Sequence, residues 1–475
     1  MKKTGNILTI AKKEYREALR NKILWLFAGI TWLLIIFAAF AGWQRQEGIH
    51  IQKQKATALF RHEWEEQEAN PHSAAHFGTY LFKPSSVLEV YDHGLNSYLG
   101  NTYRVEAHVQ HEVNHSEAEH ADTNLRFGEL SVATVFQLLL PLMILLLSFS
   151  SITREREGNT LKILMIQGGR PARLVWGKLL GIYAIVLTVV VPALLLLSTP
   201  LMAADIQPDS LLRFTLFSLT YLVYFFVFTV IGICISAISR SSNTALATSL
   251  GIWVLLAVLL PRATIRWIDS AYPLPSRYEF NRTMSQAYQQ GMNKDGTSSE
   301  RWKKFMQETL KKYGVDTVTK LPVNFDGLAM QMGEDYNSKV YDRFAGQVEQ
   351  LIKKQQTRLE QWSILNPFQA MQQLSMGMAG SDYFHHLYFH HQAKSYRDEF
   401  VRTLNLDLAN SGSAYLSYNY TVGPDFFKRM KDFTYQPPSL KEVIRFHQWS
   451  LFSITFWCGL SILLFIPLAI RLIKI

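Results

Sequence analysis

Cysteine is nearly absent: only Cys234 and Cys458 occur in 475 residues, and both fall inside long apolar runs. No disulfide framework can therefore hold the polar parts of the chain, and cysteine is silent about redox compartment. Charge is missing where the chain is most apolar. Six stretches, Ile23 to Ala41, Leu130 to Ile152, Leu179 to Ala204, Phe214 to Ile238, Thr244 to Leu260 and Trp449 to Ile470, contain no Asp, Glu, Lys or Arg. Any of these costs about 3 kcal/mol at mid-bilayer. Also missing is a phosphate-cradling Gly-x4-Gly-Lys-Ser/Thr loop. Gly177-Lys178 is followed by Leu179, and Ala172 stands where the first Gly belongs, so this chain is not expected to hydrolyse ATP.

What is present is a run pattern suited to a bilayer. A span needs about 20 mostly apolar residues, because the hydrocarbon core is about 30 Å thick and a helix rises about 1.5 Å per residue. Without water to satisfy backbone groups, each span is expected to be helical. Orientation follows from the flanks. Lys12, Lys13, Arg16, Arg20 and Lys22 outnumber Glu14 and Glu17 before the first span, and Arg154, Arg156, Lys162, Arg170, Arg173 and Lys178 outnumber Glu155 and Glu157 after the second. Both flanks are assigned to the cytoplasm, and with six spans both termini fall there. The expected division is a cytoplasmic helix at 1–22, span one at 23–42, an outer insertion at 43–129 and span two at 130–152. A cytoplasmic loop at 153–178, spans three to five at 179–260, a second outer insertion at 261–446 and the last span with its tail at 447–475 complete it.

The net charge of +10 does not imply nucleic-acid binding, because much of it sits on the inner rims of the spans, and the first outer insertion is acidic. Ala39-Phe40-Ala41 has the small-x-small pattern of a signal cleavage site. The long mixed-charge segment before it favours an uncleaved anchor.

Asn6 to Lys22 is read as an amphipathic helix at the inner surface, with Ile7, Leu8, Ala11, Tyr15, Ala18 and Leu19 on one face; a cytoplasmic extension of the first span is the alternative. A charged helical stretch follows the first span from Gly42 to about Ala69. The second insertion reads as helices at Arg277 to Met292, Ser299 to Tyr313, Asp326 to Ser363, Pro367 to Met378 and Tyr383 to Ala409. Strand-like alternation is weak throughout, so the outer domain is expected to be mainly α-helical. Gln436-Pro437-Pro438-Ser439 breaks the chain before the last span. Pro141, Pro192, Pro200 and Pro467 lie within spans as kinks.

The loop Thr153-Arg154-Glu155-Arg156-Glu157-Gly158-Asn159-Thr160-Leu161, continuing through Gly169-Arg170-Pro171 to Gly177-Lys178, combines a charged helix end, a Gly break and a short amphipathic helix. Composition alone leaves an ordinary solvated loop equally open. The stretch resembles the acidic-Gly-Thr-Leu element and following Gly-Lys of ABC-2-type permeases, departing from them by Asn159 between Gly158 and Thr160. Pro71-His72-Ser73-Ala74-Ala75-His76-Phe77-Gly78, Phe82-Lys83-Pro84, Asn366-Pro367 and Gly380-Ser381-Asp382 resemble a bacterial subgroup of that family with two large outer insertions.

That resemblance implies an all-α membrane protein with a six-helix ABC-2 exporter-type bundle. It implies that Glu155, Glu157, Gly158, Thr160 and Leu161 contact or brace a nucleotide-binding subunit, with Gly177 and Lys178 opening the third span. The implied partners are an ABC ATPase carrying ATP and Mg, a second permease chain and the lipid of a bacterial cytoplasmic membrane. No cofactor is expected in this chain.

Histidine is the rival signal. Nine of fourteen (His50, His62, His72, His76, His93, His108, His111, His115 and His120) lie in the first outer insertion, with His385-His386 and His390-His391 in the second. Neutral imidazole ligates metals, and on a helix His108, His111 and His115 would share one face. His111-Glu112-Val113-Asn114-His115 matches the zinc-peptidase pattern, although its polar surroundings argue against a peptidase core. His108, His111, His115, His385 and His386 stand as metal candidates. Two rivals to a permease therefore remain: a metal-handling membrane module and a membrane-anchored metallopeptidase.

Overall fold

The computed structural model describes residues 5–116, 130–167, 169–202, 209–412 and 419–471. His120 and the end of the third apolar run at Ala203-Ala204 lie outside them, as does the tail beyond Arg471. Among the described residues five helices are long and apolar enough to cross a membrane: Leu24–Glu65, Val132–Glu157, Pro171–Leu201, Ser210–Ile238 and Ser242–Ala271. The last apolar run gives the shorter stretch Gln448–Leu464.

α1 (Gly5–Leu19) leads into α2 (Lys22–Glu65), one helix of 44 residues. No proline interrupts it, so the first apolar run and the charged stretch after it form a single rod of about 66 Å, twice the thickness of a bilayer core. The rod ends short of Asn70, whose side chain accepts from the backbone N–H of His72 and Ser73 and so caps α3 (Pro71–Phe77).

β1 (Thr79–Phe82) and β2 (Thr102–Val105) then pair antiparallel, Thr79 opposite Val105 and Phe82 opposite Thr102. This hairpin is a small addition to insertions that are otherwise mainly α-helical, as expected. Each strand is four residues long, too short to show an alternation.

The second apolar run reaches α4 (Leu140–Ser148) through a π-helical turn at Val135–Leu139. The fifth, α9 (Ser242–Val254), reaches α10 (Leu260–Ala271) through another at Leu255–Leu259. Pro141 and Pro261 each stand two residues beyond the wide turn. A proline cannot donate to the ladder and its ring crowds the preceding turn, and a widened turn absorbs both effects. Between these lie α5 (Thr153–Glu157), α6 (Thr160–Ile166), α7 (Pro171–Leu197) and α8 (Ser210–Ile238).

The second insertion forms α11 (Arg277–Gln290), α12 (Ser298–Tyr313), α13 (Phe325–Trp362), α14 (Pro367–Ala379) and α15 (Tyr383–Ala409), each within two residues of the sequence expectation. α16 (Leu440–Phe446) and α17 (Gln448–Arg471) close the fold.

α14 does not join the other helices of the second insertion. Its Ala370, Met371, Leu374 and Met378 are buried in one core with Ile35, Phe136, Val190, Tyr221 and Phe225 of the apolar helices. The turn before it is anchored beside α17, where Ser453 donates to Ser363 O at 2.7 Å and Trp457 to Ile364 O at 2.9 Å. Trp457 lies about 14 Å along α17 from its start. The chain therefore descends beside the last apolar helix and climbs back as α14. The backbone groups freed at the turn are met inside the protein, with Asn366 Nδ2 donating to Leu256 O at 2.8 Å. A separate core, with Trp64, Tyr103, Phe389, Phe400 and Phe427, joins the two insertions.

Candidate functional site

The loop between the second and third apolar helices is built as two short helices meeting at a left-handed residue. Gly158 ends α5, and Asn159 at φ 58°, ψ 3° turns the chain into α6. Asn tolerates that conformation better than most residues. The residue by which this loop departs from the family pattern is thus the one that sets the angle between its helices.

Lys178, in α7, has a side chain only 2% exposed, and its Nζ lies 2.6 Å from Glu14 Oε1 and 2.8 Å from Glu155 Oε1. One buried ammonium therefore ties together α1, α5 and α7. α1 approaches α7 closely because Gly177 has no side chain: a Cβ there would come within 2.6 Å of Ile10. Leu161 is buried with Ile152, Leu174, Val175 and Leu179. Thr160 Oγ1 donates to Glu155 O at 3.1 Å, bracing the turn.

Two charges fasten the loop to the neighbouring helices. Arg156 donates to Ala237 O at 2.8 Å and also to Ser239 O, at the C-terminal end of α8. Glu157 accepts from Ser242 N–H and Ser242 Oγ, both at 2.7 Å, at the N-terminus of α9. Each charge faces the helix end whose dipole it complements. The two bonds from Ser242 hold the Glu157 carboxyl below the usual carboxylate range.

Four of the seven residues singled out in sequence, Glu155, Leu161, Gly177 and Lys178, brace the interior. Glu157, Gly158 and Thr160 are exposed. Arg156 and Glu14 were missed as partners; their charges were visible, but the helix ends and side chains they meet are far away in sequence. On α6 the apolar side chains of Ile163, Leu164 and Ile166 point outward, Ile166 being 77% exposed. A cavity of about 880 Å³ opens beside the loop, lined among others by Glu17, Phe27, Leu147 and Arg154.

A family model described as ABC-2 family transporter protein matches residues 8–396. The chain belongs to the ABC-2 transporter family. The matched length begins within α1, ends within α15 and includes the whole loop from Thr153 to Lys178. No curated protein matches the chain. This ABC-2 protein is a multi-pass membrane protein and a transporter component rather than an enzyme.

The ABC-2 chain also carries buried polar groups where the insertions meet the apolar helices. Asp382 is held between His385 Nδ1 at 2.5 Å and His447 Nε2 at 2.6 Å, and His447 Nδ1 lies 2.5 Å from Glu360. With a carboxylate at each ring nitrogen, His447 donates on both sides, which is the bonding of an imidazolium. Burial alone would raise the Asp382 pKa, but His385 and His447 outweigh it and hold the carboxyl far below its ordinary range. Nearby, Gln137 Nε2 donates to Tyr221 Oη at 2.9 Å, and Tyr221 Oη bonds Ser375 Oγ at 2.9 Å. Ser375 donates to Asp92. Burial pushes Asp92 up to about 6. Asp92, His93, Gln137 and Gln373 line a cavity of about 490 Å³. No sequence pattern announces this network, whose members come from separate elements.

The histidine expectations need correction. His108, His111 and His115 do not share a helix face, because residues 106–116 form no helix. His108 and His115 sit at φ 65° and 60°, and Asn114 bridges Thr102. This extension of the hairpin replaces the helix that the spacing suggested. His111 bonds Glu106 at 2.5 Å instead, so the peptidase geometry is not formed. His385 is tied to Asp382, and His386 stacks on Tyr383.

Proposed function

We propose that this chain is the permease subunit of an ATP-driven exporter in a bacterial cytoplasmic membrane, with both termini cytoplasmic. It carries no ATPase. An ABC ATPase bearing ATP and Mg docks on the loop from Thr153 to Lys178, and a second permease chain, identical or paralogous, supplies the other half of the pathway. Family membership over residues 8–396 supports the permease assignment.

The observation that carries the coupling role is the outward apolar face of α6, Ile163, Leu164 and Ile166, on a loop whose other side is fastened to four helices. Lys178 links α1 and α7, Arg156 holds α8 and Glu157 holds α9. A push on α6 is thereby delivered to all four at once, which is what rocking between inward-open and outward-open states requires. Purification of the chain from its native membrane tests the assignment directly. An ABC ATPase in stoichiometric amount supports it, and a chain that purifies without any ATPase under mild detergent contradicts it.

A further inference from the structure

Away from the loop, three histidines that the sequence scatters over 37 positions converge on the first insertion. His72 and His76 are one turn apart on α3, and His108 follows β2. His76 Nε2 lies 3.1 Å and His108 Nε2 3.3 Å from His72 Nε2, and all three donor atoms fall within 4.8 Å of one another. Nitrogens sharing a tetrahedral ion at about 2.05 Å stand about 3.3 Å apart.

Their tautomers are set from behind. Asp335 accepts from Gln331 Nε2 at 2.8 Å, Gln331 Oε1 accepts from Asn405 Nδ2 at 3.1 Å, and Asn405 Oδ1 therefore faces His72 Nδ1 at 3.1 Å. Because a carboxylate only accepts, the whole chain is oriented, and His72 Nδ1 must carry the proton. His108 Nδ1 lies 2.8 Å from Glu334, which Arg397 holds at 2.6 Å. In their neutral forms both rings therefore turn Nε2 lone pairs toward the same point. One proton on His76 would serve His72 alone, leaving the His108 lone pair without a partner, whereas a cation serves all three.

The backbone is set for the same arrangement. His108 is held at φ 65°, uncommon for a residue with a side chain. Its N–H donates to Glu334 at 2.6 Å and its carbonyl accepts from Asn337 at 2.9 Å.

We propose that His72, His76 and His108 bind one divalent ion of the zinc and copper class through Nε2, with water in the fourth position. Glu334 and Asn405 are positioning residues, as carboxylates and amides behind metal-bound imidazoles commonly are. The donors are all nitrogen, which excludes magnesium and calcium. The ion joins α3 to the end of β2 within the first insertion, and Glu334 of α13 and Asn405 of α15 back two of its ligands from the second. The proposal is independent of the ATPase reading.

The test uses the full chain, without a polyhistidine tag, purified in detergent and stripped with a chelator. Zinc and copper are titrated separately, and melting temperature is followed with each. One equivalent of at least one metal is expected to bind and raise the melting temperature. His76→Ala and His108→Ala weaken binding at least about 100-fold and abolish that rise, and Glu334→Gln weakens it about 10- to 100-fold. His62→Ala, at an exposed residue elsewhere, leaves both unchanged. Because His76 is exposed and its ring meets the other two histidines, His76→Ala should melt with the stripped wild type, which keeps the test free of folding defects. Equal binding by wild type and His76→Ala, or no stoichiometric binding of either metal, overturns the proposal.

Discussion

Lys178 reaches Glu14 across 2.6 Å, from a position whose side chain is 2% exposed. That bond holds the N-terminal helix against the third apolar helix, and Glu155 draws the loop between the second and third apolar helices into the same ion cluster. Lys178→Met strands two partly buried carboxylates beside each other. The expected cost is about 3 kcal/mol, seen as a lower melting temperature in detergent. Adding Glu14→Gln and Glu155→Gln to Lys178→Met should recover part of the loss, since no uncompensated charge then remains.

Glu157 is exposed, so its role should appear in coupling more than in stability. Glu157→Ala removes both acceptors from Ser242 at the start of α9. The melting temperature should stay close to wild type while ATPase activity of the assembled complex becomes insensitive to the permease. A variant whose coupled ATPase activity matches wild type rules out the fastening role.

Asp92 gives a pH signature. Its pKa in the folded chain, about 6, lies above the ordinary 3.8 because burial disfavours the charged form. The stabilising contribution of the protonated form is complete below pH 3.8 and is lost as the pH rises through about 6. Asp92→Asn should therefore raise stability at neutral pH by about 3 kcal/mol, at 1.36 kcal/mol per pKa unit. It should also flatten the pH dependence between 4 and 6 in thermal melts. An unchanged profile contradicts the burial argument.

Asp382 stands between His385 and His447. Asp382→Ala leaves a buried imidazolium with only Glu360 to meet it, and should cost about 3 kcal/mol or more. Because His447 leads directly into the last apolar helix, limited proteolysis should show the α16 segment opening before the bundle does.

The apolar runs and the polar helices of the second insertion were legible because each carries its own period or its own length. Pro367 to Met378 was legible as a helix but not in its position. Met, Gln, Ser and Ala on every face suit a surface pairing as well as burial, and its place inside the bundle is set by the shared apolar core, by Tyr221 on Ser375, and by Ser453 and Trp457 on the turn before it. The loop between the second and third apolar helices announced its residues through Glu155, Glu157, Gly158 and Lys178, whereas Arg156 needed the carbonyls of Ala237 and Ser239, about 80 residues away. The histidines misled for a related reason. Spacing in sequence favoured His111 and His115, but a strand end and two left-handed residues set the rings apart, and His72 and His76 became neighbours of His108 through tertiary folding.

The central claim, that α6 is the contact by which a separate ATPase drives this permease, is tested most directly by Ile163→Asp with Ile166→Asp. Both side chains are exposed, so the variant should fold with a wild-type melting temperature. Its ATPase should be lost on co-purification, with transport-coupled hydrolysis falling at least about tenfold. A folded variant that retains its ATPase at wild-type stoichiometry, with undiminished coupled hydrolysis, contradicts the account.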